Sequence, residues 1–514
     1  MKILMVHPST LVYSRIFLRL EPLGLELVAQ AVRQAGHQVH LVDLQVESQD
    51  DFEREMKVWQ PEVVAISCNY LANVPEVIDL AKTVKQLTPS CFVFVGGHSA
   101  SYIAGDLLDH ADGALDCVLT GEGELGVVRL LEAVEHDRDS LHLVPGIVSQ
   151  LGKGPQPSFV SALDDLRPAR DLLHHPRRYF IGALDPTASI EFSRGCPWDC
   201  AFCSAWTFYG RSYRLVSPEI AVENLASIRE PGVFIVDDVA FLQQDHAMAI
   251  ADGIARKGIK KQYFAETRCD VLLRNKEVFR VWRKLGLEYL FLGLEAIDAE
   301  SLTQHRKRTT LDKNLEALEF ARTLGVAVSI NLIADPSWDH QRFEAIRKWA
   351  TEIPEIVNIS VLTPYPGTEI WLSDIRRLST RDYRLFDIAH AVLPTSLPLP
   401  EFYTEMVDTQ GLIYKKFLGL SGLLWFFPYM LNLLLHGQTN FLTHLWSYPK
   451  VINPQSLLAD HHQPVKYEIR LPDRSESPAS MKPPFVHPSG GHRSRSLDPA
   501  SEKFVEETSS LKPE

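Results

Sequence analysis

The chain has 514 residues, 45% of them apolar, and a formal net charge of −13. That length exceeds one ordinary domain and predicts about two or three, each with a sizeable core. The acidic charge is spread without a Lys/Arg stripe, which excludes nucleic acid as a partner, because that affinity comes mainly from neutralising phosphates.

The first apolar run, Lys2–Val6, is too short for a signal peptide and reads as a β-strand. An amphipathic helix over Gly24–Ala35 and a strand over Gln38–Asp43 follow. Val63–Ser67 predicts a third strand, Val74–Gln86 a helix, and Phe92–Val95 and Cys117–Thr120 two more strands. Strands spaced by helices of this length predict a doubly wound parallel sheet over residues 1–150. Ligands of such sheets bind outside the carboxyl ends of the strands. Unusual residues collect at those ends: His7-Pro8-Ser9, Ser67-Cys68-Asn69-Tyr70, Gly96-Gly97-His98-Ser99 and Gly121-Glu122-Gly123-Glu124. Glycine there lets a ligand approach the backbone closely. Glycines also end strands in α/β folds without any ligand, and neither pair forms G-x-G-x-x-G between a strand and a helix.

A proline-rich linker, residues 151–180, leads to a second strand–helix series over residues 181–400. The strand-like Ser189–Phe192 runs into Arg194-Gly195-Cys196-Pro197-Trp198-Asp199-Cys200-Ala201-Phe202-Cys203. Thiolates at this C-x3-C-x2-C spacing can converge on one iron–sulfur cube. With no fourth cysteine in reach, one iron is left open to something other than protein. A zinc site would use paired ligands, and a disulfide would need an oxidising compartment. The seven cysteines suit a reducing, cytoplasmic setting, and the isolated Cys68, Cys91, Cys117 and Cys269 are expected to pack as small buried side chains.

Further strands are predicted over Val233–Val236, Gln262–Ala265, Tyr289–Leu292, Ala327–Ile333 and Ile356–Leu362. They end in Asp237-Asp238, Glu266-Thr267-Arg268, Gly293-Leu294-Glu295, Ala334-Asp335-Pro336 and Thr363–Thr368. Charged or turn residues at each carboxyl end suit a parallel α/β barrel whose site faces that end. Each acid has a second reading, as the N-cap of the next helix. No Ser/His/Asp or Cys/His arrangement is needed.

Residues 401–471 read as mainly helical and apolar. Phe417–Leu435 carries no charge and approaches the length of a membrane span. Pro428 and Asn432 interrupt it, and Trp425 and Tyr429 lie near its middle rather than its ends. An interfacial or partly buried hairpin is expected, with Lys415 and Lys416 placed to meet anionic headgroups of the inner membrane. The other reading is a helix packed on the barrel. Residues 472–514 are rich in Ser, Pro and charge and predict a disordered tail.

The cysteine run, with Phe202 between its last two cysteines, resembles the signature of the radical S-adenosylmethionine (SAM) enzymes. That resemblance implies a partial, six-stranded barrel and a [4Fe-4S] cluster held by Cys196, Cys200 and Cys203. Its open iron binds SAM, and an electron from a ferredoxin or flavodoxin splits SAM to a deoxyadenosyl radical. It further implies Phe202 near the adenine, Glu295 on the SAM ribose or amino group, Asp237, Asp238 and Arg268 on the same face, and Pro366 and Gly367 beside the adenine. Pro22–Glu26, Val95–Ser99 and Gly121–Glu124 resemble the cobalamin-binding domain that precedes many radical SAM cores. Ser67, Asn69, Gly96, Gly97, His98, Ser99, Gly121, Glu122 and Gly123 then surround cobalamin. The D-x-H-x-x-G signature of a cobalt-ligating histidine is absent, since Asp109-His110-Ala111-Asp112-Gly113 lacks the residue between Asp and His. His98 is accordingly expected near the nucleotide tail rather than on cobalt, and the lower ligand of cobalt is left open.

Phe17–Leu27, Ser67–Val77 and Ser193–Tyr213 look like the bacterial hopanoid C-3 methylases, a similarity reaching from the first domain to about residue 400. It implies a hopanoid substrate whose saturated A-ring carbon C-3 loses hydrogen to the radical and takes methyl from methylcobalamin. The alternatives carried by the same motifs are tetrapyrrole ester cyclisation, methylation of another hopanoid carbon, and a non-catalytic cobalamin and redox sensor.

Overall fold

A computed structural model describes residues 1–11, 17–417, 431, 433–435, 437–440 and 453–471. The first sheet holds β1 (Lys2–His7), β2 (Gln38–Asp43), β3 (Val63–Ser67), β4 (Phe92–Gly96) and β5 (Cys117–Leu119), all parallel, in the order β2-β1-β3-β4-β5. Alternation along β1 explains the two helical layers. Leu4 and Val6 pack with helix Val74–Leu87 on one face, and Ile3 and Met5 with helices Leu23–Gln34 and Gly123–His136 on the other. Two antiparallel strands unforeseen in the sequence, β6 (Ile147–Ser149) and β7 (Gly152–Lys153), extend the β5 edge; they are too short to carry a period. The strand order reverses between β1 and β3, which opens a ligand crevice at the carboxyl ends.

The second sheet holds β8 (Thr187–Ile190), β9 (Gly232–Ile235), β10 (Gln262–Thr267), β11 (Leu287–Glu295), β12 (Ala327–Ala334) and β13 (Ile356–Val361). All six are parallel, paired in chain order, with β8 and β13 as the two edges. It is the open six-stranded barrel, not a closed ring. Its outward side chains, such as Ile235, Leu290, Ile330 and Ile359, are buried under the covering helices. Helix Leu399–Phe417 protects the β13 edge, where Gln410 Oε1 accepts from Ile359 N at 3.3 Å.

After helix Pro454–Asp460 the chain returns to the first domain, where Lys466 pairs with Asp79 at 2.6 Å and Tyr467 and Ile469 join its core. Most of the charge-free run Phe417–Leu435 and the whole 472–514 tail lie outside the described residues. Among the described residues no helix is long and apolar enough to cross a membrane. Cys68, Cys91, Cys117 and Cys269 are all buried, as their apolar settings predicted.

Candidate cofactor site between the two sheets

The cysteine loop leaves β8 through the two-residue strand Ser193–Arg194, which pairs with Arg214–Leu215. Gly195 is obligatory there: its φ is +94°, and a Cβ would stand 2.3 Å from Ser212 O. Backbone bonds then pin the loop to the barrel, with Ala201 N donating to His305 O at 3.0 Å and Glu369 N to Ala201 O at 3.1 Å. Cys196, Cys200 and Cys203 share one cluster with Trp198 and Phe202. Burial, and then the neighbouring cysteines, push the thiols of Cys196 and Cys203 up, that of Cys203 to about 12. Protonated thiols packed this way become ligands only when a positive centre pays for their charge. Among the described residues no three His, Cys, Asp or Glu side chains converge on a single ion. Three thiols on one short loop, packed around Trp198 and Phe202, are a donor set that fits an iron–sulfur cube.

Two cations stand beside these thiols. Arg268 Nη1 lies 3.7 Å from Cys200 Sγ, and its guanidinium stacks 4.4 Å over the Trp198 ring. Lys307, which sequence reasoning missed, is buried, pairs with Glu295 at 2.8 Å and points over the Phe202 ring. Its only signal was its place in the run His305-Arg306-Lys307-Arg308, which a solvated face would equally explain. Glu295 sits on a bulge with φ +68°, a conformation held by its surroundings.

The two adjacent aspartates diverge. Asp237 accepts from Phe192 N at 2.8 Å and from the Ser193 hydroxyl, so both its oxygens brace the strap of chain, Phe192–Ser193, that leads into the cysteine loop. Asp238 accepts from Gly195 N at 2.9 Å and lines the cavity, its carboxyl raised by burial to about 6. Glu266, also missed, faces the same rim, raised by burial and by Asp238 and Glu295 to about 7. Gly367 packs against the first domain: its φ is +89°, and a Cβ would meet the Tyr102 ring at 2.4 Å. Pro366 precedes it in the same turn.

A cavity of about 380 Å³ lies between the two sheets, lined from both domains. Its first-domain wall contains Ser67, Asn69, Gly96, Gly97, Gly121, Glu122 and Gly123, and its second-domain wall Arg194, Tyr209 and Asp238. It narrows between the first sheet and its helices, where Leu25, Val28, Ala65, Phe94 and Leu119 line it. Gly123 keeps that slot open, since a Cβ would stand 2.9 Å from Val28 Cγ2. Gly97 has φ +117° and no room for a Cβ beside Asn69 Oδ1, at 2.6 Å. Asn69 Oδ1 accepts from His98 N, and Ser99 donates to Asn69 O. Ser67, on the cavity wall, has a buried Oγ with no hydrogen-bond partner among the described residues. Apolar slot, glycine cradle and unsatisfied hydroxyl fit a large planar cofactor with a nucleotide tail.

His98 also lines the cavity, beside Gly97, and its ring reaches across to the second domain. Its Nε2 lies 2.8 Å from Ser204 Oγ, just after Cys203, and its ring stacks on Phe208 at 4.6 Å. Burial lowers it to about 4, so it is neutral and bridges the domains. His110 lies on the far side, bonded to Glu468 O, as the broken motif indicated. Glu122 does not offer its carboxylate to the cavity alone. It is buried between Arg194 and Arg214, each at 2.8 Å.

Known proteins agree with this arrangement. Residues 10–131 match the B12 binding domain model and residues 190–350 the radical SAM superfamily model. The chain is 63% identical over 508 residues to the hopanoid C-3 methylase of Methylococcus capsulatus, covering 99% of this chain and 98% of that one. It is 24% identical to the anaerobic magnesium-protoporphyrin IX monomethyl ester cyclase of Cereibacter sphaeroides, over 81% of this chain and 71% of that one. The radical SAM methyltransferase TsrM from Kitasatospora setae, solved with cobalamin and a [4Fe-4S] cluster, shares the fold at TM-score 0.59 and 16% identity, over 77% and 82% of the two chains. The cobalamin-dependent radical SAM enzyme OxsB shares it at TM-score 0.58 and 18% identity, over 73% of this chain and 55% of that one. The chain is a cobalamin-dependent radical SAM enzyme and belongs to the hopanoid C-3 methylase family.

Proposed function

We propose that this enzyme methylates C-3, on the A ring, of a hopanoid. The observation that carries the reading is a cavity walled by both domains, with the cysteine loop at its rim, in a chain 63% identical to a hopanoid C-3 methylase. A saturated ring carbon has no lone pair for polar methylation. When bound, the [4Fe-4S] cluster, SAM and cobalamin supply a hydrogen-abstracting radical and a transferable methyl group.

Within this reading Cys196, Cys200 and Cys203 hold the cluster, and Arg268 and Lys307 offset their negative charge. Asp238 and Glu295 face SAM, with Phe202 against the adenine, and Asp237 positions the loop. Ser67, Asn69, Gly96, Gly97, Ser99, Gly121 and Gly123 cradle cobalamin, with Ser67 Oγ free to bond it. His98 and Glu122 act at the domain seam. Pro366 and Gly367 close the turn against Tyr102. An external one-electron donor such as a ferredoxin or flavodoxin starts each turnover. Contact with a membrane surface belongs to the same proposal. It is supported by an apolar substrate and by the exposure of Leu431, Leu434 and Leu435 at the end of the charge-free run.

Expression in a bacterium that makes only unmethylated hopanoids tests the reading. A product heavier by one methyl group, with fragments placing it on the A ring and absent for Cys200→Ala, is expected. Unchanged lipids with cluster and cobalamin both loaded would exclude the substrate; methyl on another ring would exclude C-3.

A further inference from the structure

The inner face of the barrel is divided. On β9 and β10 the inward Phe234 and Phe264 are buried with Ile181 and Leu184, and the partly buried Leu18, Leu20, Tyr289 and Phe291 pack against them, so the apolar side reaches β11. On β11, β12 and β13 the inward positions are half-buried and alternate with fully buried outward ones: Tyr289, Phe291, Ser329, Asn331, Asn358 and Ser360. A filled barrel places bulky branched side chains at such positions. Here two aromatics stand on β11, and two successive inward positions on each of β12 and β13 are amide or hydroxyl.

These four side chains pair across the strands. Asn358 Nδ2 donates to Ser329 Oγ at 2.7 Å and to Ile330 O at 3.2 Å, and Asn331 Nδ2 donates to Ser360 Oγ at 3.0 Å. All three bonds use an amide NH2, and two of them a serine lone pair. Two amide oxygens are left to accept and two serine hydroxyls to donate. Such a surface complements alcohol groups, which both donate and accept, and penalises a hydrocarbon that strips its water.

Depth decides which part of the substrate meets it. The cysteine loop, Asp238, Glu266 and Glu295 lie at the carboxyl rim. At about 3.3 Å per residue, Asn331 and Ser329, three and five positions before Ala334, sit roughly 10 and 16 Å below the rim. With C-3 at the rim, the rings of a hopanoid run down along Phe291 and Tyr289. The end remote from C-3, which bears the side chain, reaches the polar wall.

We propose that Ser329, Asn331, Asn358 and Ser360 form a subsite for a hydroxylated side chain, making the enzyme selective for hydroxylated hopanoids over the bare hydrocarbon. This rests on the hopanoid reading above. The test gives loaded enzyme two probes in the same detergent, a hopanoid with a polyhydroxylated side chain and an unfunctionalised hopene, and compares kcat/KM. The wild type is expected to favour the hydroxylated probe at least tenfold. Asn331→Leu/Asn358→Leu is expected to erase most of that preference while methylating hopene as well as or better than wild type. Ser329→Ala/Ser360→Ala, a smaller change, lowers the preference in the same direction and replaces the leucine pair if that fails to fold. Equal use of both probes by the wild type, or an unchanged preference in a folded variant, overturns the subsite while leaving the methylase reading intact. Methylation of neither probe by loaded wild type overturns both.

Discussion

Arg194 and Glu122, 72 residues apart, meet at 2.8 Å in the seam between the domains, with both side chains almost wholly buried. Arg194 precedes Cys196 by two positions, and Glu122 lies in the glycine loop that walls the cavity. Arg194 also holds Glu124 at 2.9 Å and Glu191 at 2.7 Å, and Arg214 holds the second oxygen of Glu122. Burial works against the Glu122 charge, and the two arginines overcome it, holding its carboxyl below the usual range. The joint fixes one cofactor loop against the other.

Glu122→Gln should therefore lower stability by about 3 kcal/mol, the cost of stripping one partner from a buried pair, read as a urea midpoint. A second readout separates positioning from stability. Deoxyadenosine formed per methylated lipid should rise several-fold in the variant, because the radical is made but the methyl donor is displaced. An unchanged ratio would show that the joint only holds the fold.

Gly97→Ala addresses the cradle. The added Cβ has no room beside Asn69 Oδ1 and Cys68 O, and its φ of +117° disfavours any side chain. Cobalamin affinity, followed by absorbance, should fall at least tenfold, while iron per chain after reconstitution stays at the wild-type level. Normal cobalamin binding would place the cofactor away from this loop.

The strands were legible because apolar alternation and strand-end acids are local signals. The three cysteines stand out because ligands of one cluster must lie on one short loop, and the fold packs them together. Contacts across the seam were not. His98 was rightly placed at a strand end, but nothing local tells that Ser204 and Phe208 stand opposite. Asp237 and Asp238 are neighbours of one residue type. Which of them faces the cavity depends on the strap at Phe192 and Ser193, which their own segment does not encode. Nothing local marks the inward Asn and Ser of β12 and β13, because only the pairing of the two strands brings them together.

Arg268 offers an electrostatic test of the cluster. Its guanidinium, 3.7 Å from Cys200 Sγ, stabilises the reduced, more negative cluster more than the oxidised one. Arg268→Met keeps the apolar bulk over Trp198 and removes the charge. The reduction potential should drop by up to about 170 mV, from a Coulomb energy of roughly 4 kcal/mol at about 4 Å and an effective dielectric near 20. Redox titration followed by electron paramagnetic resonance reads this directly, and an unmoved potential would mean that solvent or SAM screens the arginine.

The C-terminal helix adds a pH dependence far from the cofactors. His390 is buried with Nδ1 3.0 Å from Asp387 and Nε2 3.4 Å from Asp460, at the end of helix Pro454–Asp460. Burial opposes its charge, but the two aspartates prevail and raise it from 6.5 to about 9. The neighbouring His461 is lowered to about 4 by burial and by His390, and it stays neutral, bonded to the Tyr403 hydroxyl. A histidine raised on folding contributes its full stabilisation below its unfolded pKa and loses it as pH climbs through the folded one. Wild-type stability should thus decline between about pH 6.5 and 9, by at most about 3 kcal/mol. His390→Asn, uncharged throughout, should be less stable at pH 6.5 and lack that slope. Urea midpoints for the two proteins at pH 6.5, 7.5 and 9 decide it: parallel curves would mean that the Asp387–His390–Asp460 bridge contributes no charge-dependent stability, and convergence toward pH 9 would mean that it does.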